Sequence, residues 1–583
     1  MNAPSTLRRR VGQLSRNCVM LLGSAILAGC AQLPKNVERP VSTALAAPEG
    51  TALATLVQQR RDAEGARYPS GFLLLGGPQG AYGSRLALID GAQKTLDLQY
   101  YAIHADASTG RLLRGLRDAA ARGVRVRVLL DDFHSSGRNA LVMGLAFVPN
   151  IQMRMFNPLP GARGSSLGRM VSAIGDASRL QQRMHNKLFI ADNVLGVTGG
   201  RNLGDAYFGN AEGGNFIDVD VLAAGPIVRD LSRSFDSYWN NERAYPVQSL
   251  VTREELLAIR EGERAAANPS TSEASTEGGP KPPDGEPRPS GAGPTDAQRA
   301  RAWDEKPLDL RTARFIWAPA VMLADKPGKI PPEGGAERAP ALEVSPPGPG
   351  RAPSPRTAAL EVASGAAANG ETVVDGLLQL IAQARSDLLI ISPYFVPGAD
   401  MKRAFADAYA RGVRIRVLTN SLASNDAPVA HAGYARHRKD LLASGVELYE
   451  LRSEQAGLGS AFGSTGAGGS APGASRAMLH SKVLVLDGRL LVVGSMNLDL
   501  RSQLQNTEIA LLIRSAELSR EATAQIEAGL REQAWRVEQR DGKLVWRGPE
   551  GRDWPEATTE PDASASLRWL LRLFGPLAPD ALL

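Results

Sequence analysis

Residues 185–202 read HNKLFIADNVLGVTGGRN, and residues 480–497 read HSKVLVLDGRLLVVGSMN. In both stretches a lysine stands two residues after the histidine, an aspartate five after the lysine, and an asparagine ten after the aspartate. The matched residues are His185, Lys187, Asp192 and Asn202 in the first copy and His480, Lys482, Asp487 and Asn497 in the second. Identical spacing at two distant points of one chain is improbable by chance, so both copies are candidates for one shared function.

The apolar runs at 188–191 and 483–486 predict a buried strand after each histidine. Side chains two positions apart on a strand share a face, so each histidine and its lysine are expected to point at one centre. A second strand follows after a turn, and a glycine at its end allows close backbone approach. The sequence therefore predicts an imidazole, an ammonium group and an amide on one surface of each copy.

A strand–helix–strand unit also occurs twice. Residues 121–130 read ARGVRVRVLL and residues 410–418 read ARGVRIRVL, and each follows a helical stretch and an earlier strand-like run. This order predicts a βαβ unit with parallel strands. We therefore expect an α/β fold with two pseudo-symmetric α/β/α domains and mixed sheets, at 50–250 and 308–555.

Three segments lack any periodic pattern and are rich in small residues or proline: 264–300, 326–369 and 455–475. Such compositions do not bury enough apolar surface to offset chain entropy. We expect the first to be a disordered linker between the halves, and the other two to be disordered inserts in the second half.

The 583 residues carry a net charge of +6, which fits an anionic partner such as a phospholipid surface or a nucleic acid. The two cysteines, Cys18 and Cys30, both lie near the start, which excludes a disulfide or a thiolate metal site in the body of the chain.

Residues 1–29 have the pattern of a signal peptide: a basic opening, an apolar run too short to span a bilayer, and small residues before Cys30. The end of this segment resembles a bacterial lipobox, which implies a lipidated Cys30. Because Ala31 follows, rather than an aspartate that resembles an inner-membrane retention signal, the resemblance implies an exported lipoprotein on the periplasmic face of the outer membrane. The amphipathic segment 564–583 could lie on a membrane, but packing as a closing helix is favoured.

The paired motif resembles the H-x-K-x4-D-x6-G-x-x-N motif of the phospholipase D superfamily. Gly200 departs from the small hydroxyl residue usual there, which Ser495 retains. Other stretches are most similar to bacterial cardiolipin synthases of the C type: Gly199–Asn202, Asp205, Tyr207, Phe208, 218–221 and 237–239 in the first half, and 392–398 and 431–434 in the second.

The resemblance implies a reaction at phosphorus through a phosphohistidine, with no metal or other cofactor. It favours His185 as nucleophile and His480 as general acid and base, although the pseudo-symmetry lets either act. Lysines and amides are expected to bind the phosphoryl oxygens and neutralise the charge of the transition state. These groups are Lys187, Lys482, Asn202 and Asn497, joined by Ser495. Asp192 and Asp487 are expected to form supporting salt bridges.

Asp218 and Glu508 each open an apolar strand, where a carboxylate is costly unless it is paired. We predict that they orient the two histidines; the alternative is a solvated acid at a strand edge. His104 and His134 are expected on the surface or in loops.

The leading hypothesis is phosphatidyl transfer from one phospholipid to phosphatidylglycerol, giving cardiolipin. Hydrolysis to phosphatidate is a close alternative. A nuclease is disfavoured because no basic tract interleaved with aromatics stands out, and because the single-motif nucleases of the superfamily pair two chains. Since this chain carries both motifs, we expect a monomer acting on phospholipids at a membrane surface.

Overall fold

Two mixed β-sheets, one in each half of the chain, form the framework of the computed structural model. The structure describes residues 33–161, 163, 177–212, 214–267, 293–330, 341–346, 355–452, 476–574 and 579–580. The predicted signal peptide with Cys30, the insert at 455–475 and most of the linker lie outside these residues.

The first sheet has nine strands in the order β10-β1-β8-β6-β5-β2-β3-β4-β9. Its strands are β1 (Gly71–Leu75), β2 (Thr95–Tyr100), β3 (Arg125–Asp131), β4 (Ile151–Phe156), β5 (Leu188–Ala191), β6 (Leu195–Gly199), β8 (Asp220–Ala224), β9 (Ala244–Pro246) and β10 (Ile316–Trp317). Strands β2, β3 and β4 pair in parallel, and β5 pairs antiparallel with β2. The predicted parallel unit is therefore present inside a mixed sheet.

The second sheet has ten strands in the order β12-β11-β19-β18-β17-β13-β14-β15-β20-β21. These are β11 (Ala320–Asp325), β12 (Leu342–Val344), β13 (Asp387–Ile391), β14 (Arg414–Asn420), β15 (Val446–Leu451), β17 (Val483–Leu486), β18 (Leu490–Gly494), β19 (Ile509–Arg514), β20 (Ala534–Arg540) and β21 (Lys543–Arg547). Here β13, β14 and β15 are parallel and β17 pairs antiparallel with β13, as β5 does with β2. The repeated topology confirms two pseudo-symmetric α/β halves.

The helices are α1 (Ala52–Ala63), α2 (Pro78–Gly91), α3 (Ala107–Ala121), α4 (Ala177–Gln181), α5 (Ile227–Trp239), α6 (Arg253–Ala267), α7 (Asp296–Asp304), α8 (Pro355–Ala367), α9 (Val373–Ile381), α10 (Ala399–Ala410), α11 (Pro428–Ala443), α12 (Leu500–Leu504), α13 (Ala516–Gln533) and α14 (Ala565–Phe574). Short 3₁₀ segments lie at Pro48–Gly50, Gly137–Phe147, Asp205–Tyr207, Val247–Ser249 and Pro327–Lys329. Side-chain oxygens of Asp106 and Thr372 accept from amides of α3 and α9, which fixes where those helices begin.

One apolar core lies between the two sheets and holds the halves together. It contains Phe235 and Trp239 of α5, Ile526 of α13, and strand residues from both sheets such as Ile190 and Val485. Buried apolar area of this kind stabilises by about 25 cal/mol per Å², so the halves form one unit. A small parallel ribbon also links them, in which β7 (Gly214–Ile217) pairs with β16 (Arg476–Leu479).

The expected start of the second half at residue 308 is wrong. Strand β10 pairs with β1 of the first sheet, and Leu308, Leu310, Ala313 and Phe315 pack in the first core. These apolar side chains complete the outer layer of the first domain, so the boundary lies just before β11.

The expected disorder of 326–369 is wrong for its described parts. Strand β12 pairs with β11, and α8 buries Leu360 and Ala367 completely. Alanine-rich sequence has high helix propensity, and the sheet covers its apolar face. The linker expectation for 264–300 is likewise wrong at its two ends, where α6 continues to Ala267 and α7 begins at Asp296. No helix among the described residues is both long and apolar enough to cross a membrane.

Candidate active site

Each histidine of the paired motif is held by a backbone contact to the opposite half of the chain. The His185 amide donates to the Thr507 carbonyl at 2.9 Å, and the His480 amide donates to the Ile217 carbonyl at 2.8 Å. Thr507 precedes Glu508, and Ile217 precedes Asp218. These two hydrogen bonds therefore place each imidazole beside a carboxylate of the other half.

Both imidazoles line one cavity of about 850 Å³ between the halves. Tyr101 packs edge-on against His185 with ring centroids 5.1 Å apart, and Tyr207 packs edge-on against His480 at 5.3 Å. These matched aromatic contacts limit ring rotation on both sides, so two imidazoles face a single space.

Glu508 is the carboxylate that pairs with the imidazole of His185. The Nδ1 atom lies 3.1 and 3.0 Å from the two carboxylate oxygens. Burial raises the pKa of Glu508, but His185 and Lys187 outweigh this and lower it overall. Because the carboxylate is ionised, Nδ1 carries the proton and donates it, which leaves the Nε2 lone pair available.

Asp218 plays the same geometric part for His480. Its Oδ2 atom lies 2.7 Å from Nδ1 of His480, and Lys482 Nζ lies 3.2 Å from the same nitrogen. Burial raises the pKa of Asp218, partly offset by Lys482 and Arg201. The two histidine–carboxylate pairs are thus equivalent in position, but the pKa of Glu508 is lowered whereas that of Asp218 is raised.

The two lysines are fully buried beside the imidazoles. Lys187 Nζ donates to the His185 carbonyl at 2.6 Å, and Lys482 Nζ donates to the His480 carbonyl at 2.5 Å. Burial lowers the pKa of Lys187 to about 7, with Glu508 raising it and Lys482 lowering it further. Burial also lowers the pKa of Lys482. Two converging ammonium groups that repel each other are suited to an anion placed between them.

Both imidazoles are neutral at pH 7 in the free protein. Burial lowers the pKa of His185 to about 4, although Glu508 raises it in part. Burial and the charge of Lys482 lower the pKa of His480 well below its ordinary value. A neutral imidazole is the form that acts as nucleophile or general base.

The two asparagines of the paired motif line the cavity, but they differ in their hydrogen-bond partners. Asn202 accepts from the Ala102 amide at 3.2 Å and donates to the Tyr207 hydroxyl at 3.0 Å. The buried Oδ1 of Asn497 has no partner among the described residues. Asn497 therefore has unused hydrogen-bonding capacity at the cavity, as does Asn506, whose buried Oδ1 also lacks a partner among the described residues.

Ser495 does not face the cavity as expected of a phosphoryl ligand. Its hydroxyl donates to Glu508 at 2.5 Å and accepts from the Ile509 amide at 3.0 Å, and its side chain is buried. It holds the carboxylate behind His185, because a short side chain at the end of β18 points into the sheet layer. At Gly200 in the other half, a Cβ atom would lie 2.3 Å from Asp218 Oδ1, so the carboxylate occupies that space.

Asp192 and Asp487 do not form the expected salt bridges with any described residue. Asp192 accepts from the amides of Gln93, Lys94 and Thr95 at 2.7–2.9 Å. Asp487 accepts from the corresponding amides 385–387. Each carboxylate ties the turn after its motif strand to the start of the neighbouring antiparallel strand, β2 or β13, because exposed amide groups there need an acceptor.

His104 and His134 lie in loops, as expected, and both line the cavity. Tyr394, which lies in the stretch 392–398 quoted for the family resemblance, also lines it, as do Phe216 and Asp426, which were missed. Phe216 packs 5.0 Å from His480, and Tyr394 donates to Asp426 at 2.8 Å. The only available signal was their position at strand ends, which is weak.

Among the described residues, no group of three or more His, Cys, Asp or Glu side chains is arranged to hold a metal ion.

Comparison with known proteins places this geometry in a family. The model for the cardiolipin synthase, phospholipase D-like domain matches residues 86–239 and 377–529, once in each half. The chain belongs to this family. Membership confirms the predicted fold and the resemblance drawn from the paired motif.

Two cardiolipin synthases agree with this assignment in sequence. Cardiolipin synthase C of Escherichia coli is 34% identical over 514 residues, covering 86% of this chain and 94% of the relative. Cardiolipin synthase A of Proteus mirabilis is 22% identical over 434 residues, covering 73% and 62%. The crystal structure of phosphatidylserine synthase of Haemophilus influenzae aligns over 89% of this chain and 98% of its own, at 14% identity and a TM-score of 0.48.

Proposed function

We propose that this enzyme is a phosphatidyltransferase that transfers a phosphatidyl group from one phospholipid to the hydroxyl of phosphatidylglycerol, forming cardiolipin. The observation that carries the proposal is the pair of imidazoles lining one cavity, each held by a carboxylate of the other half. Membership of the cardiolipin synthase family and the similarity to cardiolipin synthase C support the same substrate class.

In the first step, Nε2 of His185 attacks phosphorus and the bond to the departing headgroup alcohol breaks. Lys187 and Lys482 offset the negative charge on the phosphoryl oxygens in the transition state. His480 takes up a proton as the anionic substrate raises its pKa, and gives that proton to the leaving alcohol. We assign the attack to His185 because its partner Glu508 is ionised, whereas burial raises the pKa of Asp218 beside His480.

In the second step, neutral His480 removes the proton of the acceptor hydroxyl. The resulting oxygen nucleophile attacks the phosphohistidine, and the bond from phosphorus to Nε2 breaks. The acceptor decides the outcome: a lipid alcohol gives a larger phospholipid, whereas water gives phosphatidate. The apolar and aromatic walls formed by Tyr101, Phe133 and Phe216 favour a lipid over water in the cavity.

We further propose that the enzyme is an exported lipoprotein acylated on Cys30, acting as a monomer at a membrane surface. The basic opening, short apolar run and Leu27–Cys30 sequence support export and acylation. Because both motifs are on one chain and share a cavity, the site needs no second copy. Metabolic labelling with a radioactive fatty acid tests the anchor: a labelled wild type and an unlabelled Cys30→Ser variant are expected.

The test of the reaction incubates purified protein with labelled phosphatidylglycerol, alone and with phosphatidylethanolamine, and separates the lipid products. Labelled cardiolipin is expected, and its loss in His185→Ala shows that it comes from this site. Phosphatidate alone would make the enzyme a hydrolase. Cleavage of DNA without lipid turnover would overturn the assignment to lipids.

A further inference from the structure

A second cavity of about 650 Å³ lies in the second half, separate from the active site. It is bordered by α11, by the turn between β20 and β21, and by α14. Trp546 and Leu544 supply an apolar part of its wall. We call it the basic cleft after its six basic side chains: Arg436, Arg438, Lys439, Lys543, Arg568 and Arg572.

The charge of the basic cleft is only partly balanced by its surroundings, because Arg436 pairs with Asp580 and Arg438 with Glu560 while the other four basic side chains have no such partner among the described residues. Glu560 is the only carboxylate among its described lining residues, and it pairs with Arg438 at 2.6 Å. No carboxylate of the described chain forms an ion pair with Lys439, Lys543, Arg568 or Arg572. Clustered positive charge beside an apolar wall attracts an anion that has an apolar part.

Helix α14 carries an exposed apolar edge next to this charge. Arg568 and Arg572 are one turn apart, so they form one stripe, and both line the cleft. Trp569 and Leu573 form the adjacent stripe and are 64% and 51% exposed. Basic residues beside exposed tryptophan and leucine are typical of helices that lie in a membrane interface.

We propose that the basic cleft binds the phosphate groups of anionic phospholipids in a bilayer, with Trp569 and Leu573 inserted beside them. The charge complementarity favours anions, and the exposed apolar stripe favours a lipid surface over a soluble anion. This docking surface goes beyond the proposed reaction, since it lies outside the active-site cavity and binds lipid without turnover.

Helix α11 connects the docking surface to the reaction centre. Val429 and Ala430 in its first turn line the active-site cavity, and Lys439 farther along lines the basic cleft. At 1.5 Å per residue, Ala430 and Lys439 are about 14 Å apart along the helix. A bilayer held at the cleft therefore lies near the cavity that takes its substrate from that bilayer.

The test measures sedimentation of the full chain with vesicles of phosphatidylcholine, with and without phosphatidylglycerol. All variants carry Cys30→Ser, so that acylation does not contribute. A basic residue near an anionic surface strengthens binding about fivefold. We expect Arg568→Ala/Arg572→Ala to weaken binding to the anionic vesicles about 25-fold, with little change for neutral vesicles. Lys543→Ala, on the hairpin and outside α14, should weaken it about fivefold without touching the helix.

The matched control is Arg403→Ala/Arg531→Ala, which removes the same charge from exposed positions on α10 and α13. It is expected to change anionic vesicle binding less than about twofold, because those charges lie outside the docking surface. Equal losses of anionic vesicle binding in both double variants would show that binding depends only on net charge, and would overturn the proposal. Unchanged vesicle binding in the cleft variants would also overturn it. So would a loss of DNA binding in those variants while their binding to anionic vesicles is kept.

Discussion

Glu508→Gln removes one negative charge from the site and keeps the shape of the side chain. In the wild type both oxygens of Glu508 lie within 3.1 Å of His185 Nδ1. Ser495 and Ser502 donate one further bond to each oxygen. A carboxylate accepts all of these hydrogen bonds, whereas an amide has only one acceptor atom. The variant therefore places an N–H group against either the imidazole or a serine hydroxyl.

The cost to catalysis follows from the imidazole tautomer. When the amide donates to Nδ1, the ring proton moves to Nε2, which removes the lone pair that attacks phosphorus. The equivalent change of aspartate to asparagine in a serine protease triad lowers kcat by about 10⁴-fold. We expect a loss of about 10³- to 10⁴-fold, equal to roughly 4–5 kcal/mol of transition-state stabilisation. The fold should persist, since the serine hydroxyls can rotate to suit the amide.

The assay is the initial rate of cardiolipin formation from phosphatidylglycerol at saturating substrate, with the thermal unfolding midpoint measured in parallel. Glu527→Gln is the matched control, because it makes the same substitution on α13 at an ion pair with Arg416. That variant should keep wild-type activity. A Glu508→Gln enzyme with near wild-type turnover and an unchanged midpoint would refute the role assigned to this carboxylate.

Three further outcomes are expected. His480→Ala should lower turnover by at least about 10²-fold, the contribution of general acid–base catalysis, and an active variant would reject a shared site. The value of kcat/KM should fall as pH rises through about 7, because burial lowers the pKa of Lys187 to about 7 and the site needs its charged form; a flat profile into the alkaline range contradicts this. Asp192→Ala removes a fully buried carboxylate, leaves the three amide groups of a partly buried turn without their acceptor, and should cost about 3 kcal/mol of unfolding free energy, measured by urea denaturation. Asp487→Ala, at the partly exposed equivalent turn, should cost about 1 kcal/mol, and equal losses would contradict the burial argument.

The repeated motif was sufficient to predict the two halves and the two histidines that meet at one cavity. Residues such as His185 and Lys187 stand two apart on a short buried strand, so local periodicity places them on one face. That Asp218 and Glu508 orient the histidines follows from the cost of an unpaired carboxylate on an apolar strand, but the exchange of partners between the two halves could not be derived from the sequence. That exchange depends on the β7–β16 ribbon for His480 and on the bridge between Met184 and Thr507 for His185. Both join residues far apart in the chain, and no local pattern indicates either contact.

Composition misled where tertiary packing decides the structure. Segment 355–367 is rich in alanine and small polar residues and reads as a spacer, yet its apolar face is covered by the second sheet. Ser495 looks like a phosphate ligand because it follows the motif glycine. Its hydroxyl instead binds Glu508, a partner that only the folded sheet brings near.

The central claim is that the phosphatidyl group is carried on His185 in a cavity shared by both halves. Rapid acid-free quenching of a reaction with phospholipid labelled at phosphorus, followed by peptide mapping, measures this directly. The label is expected on the peptide that contains His185, and it should be absent from His185→Ala. Full turnover with no label on either histidine peptide would contradict the covalent mechanism, and label on the His480 peptide would contradict the assignment of the nucleophile.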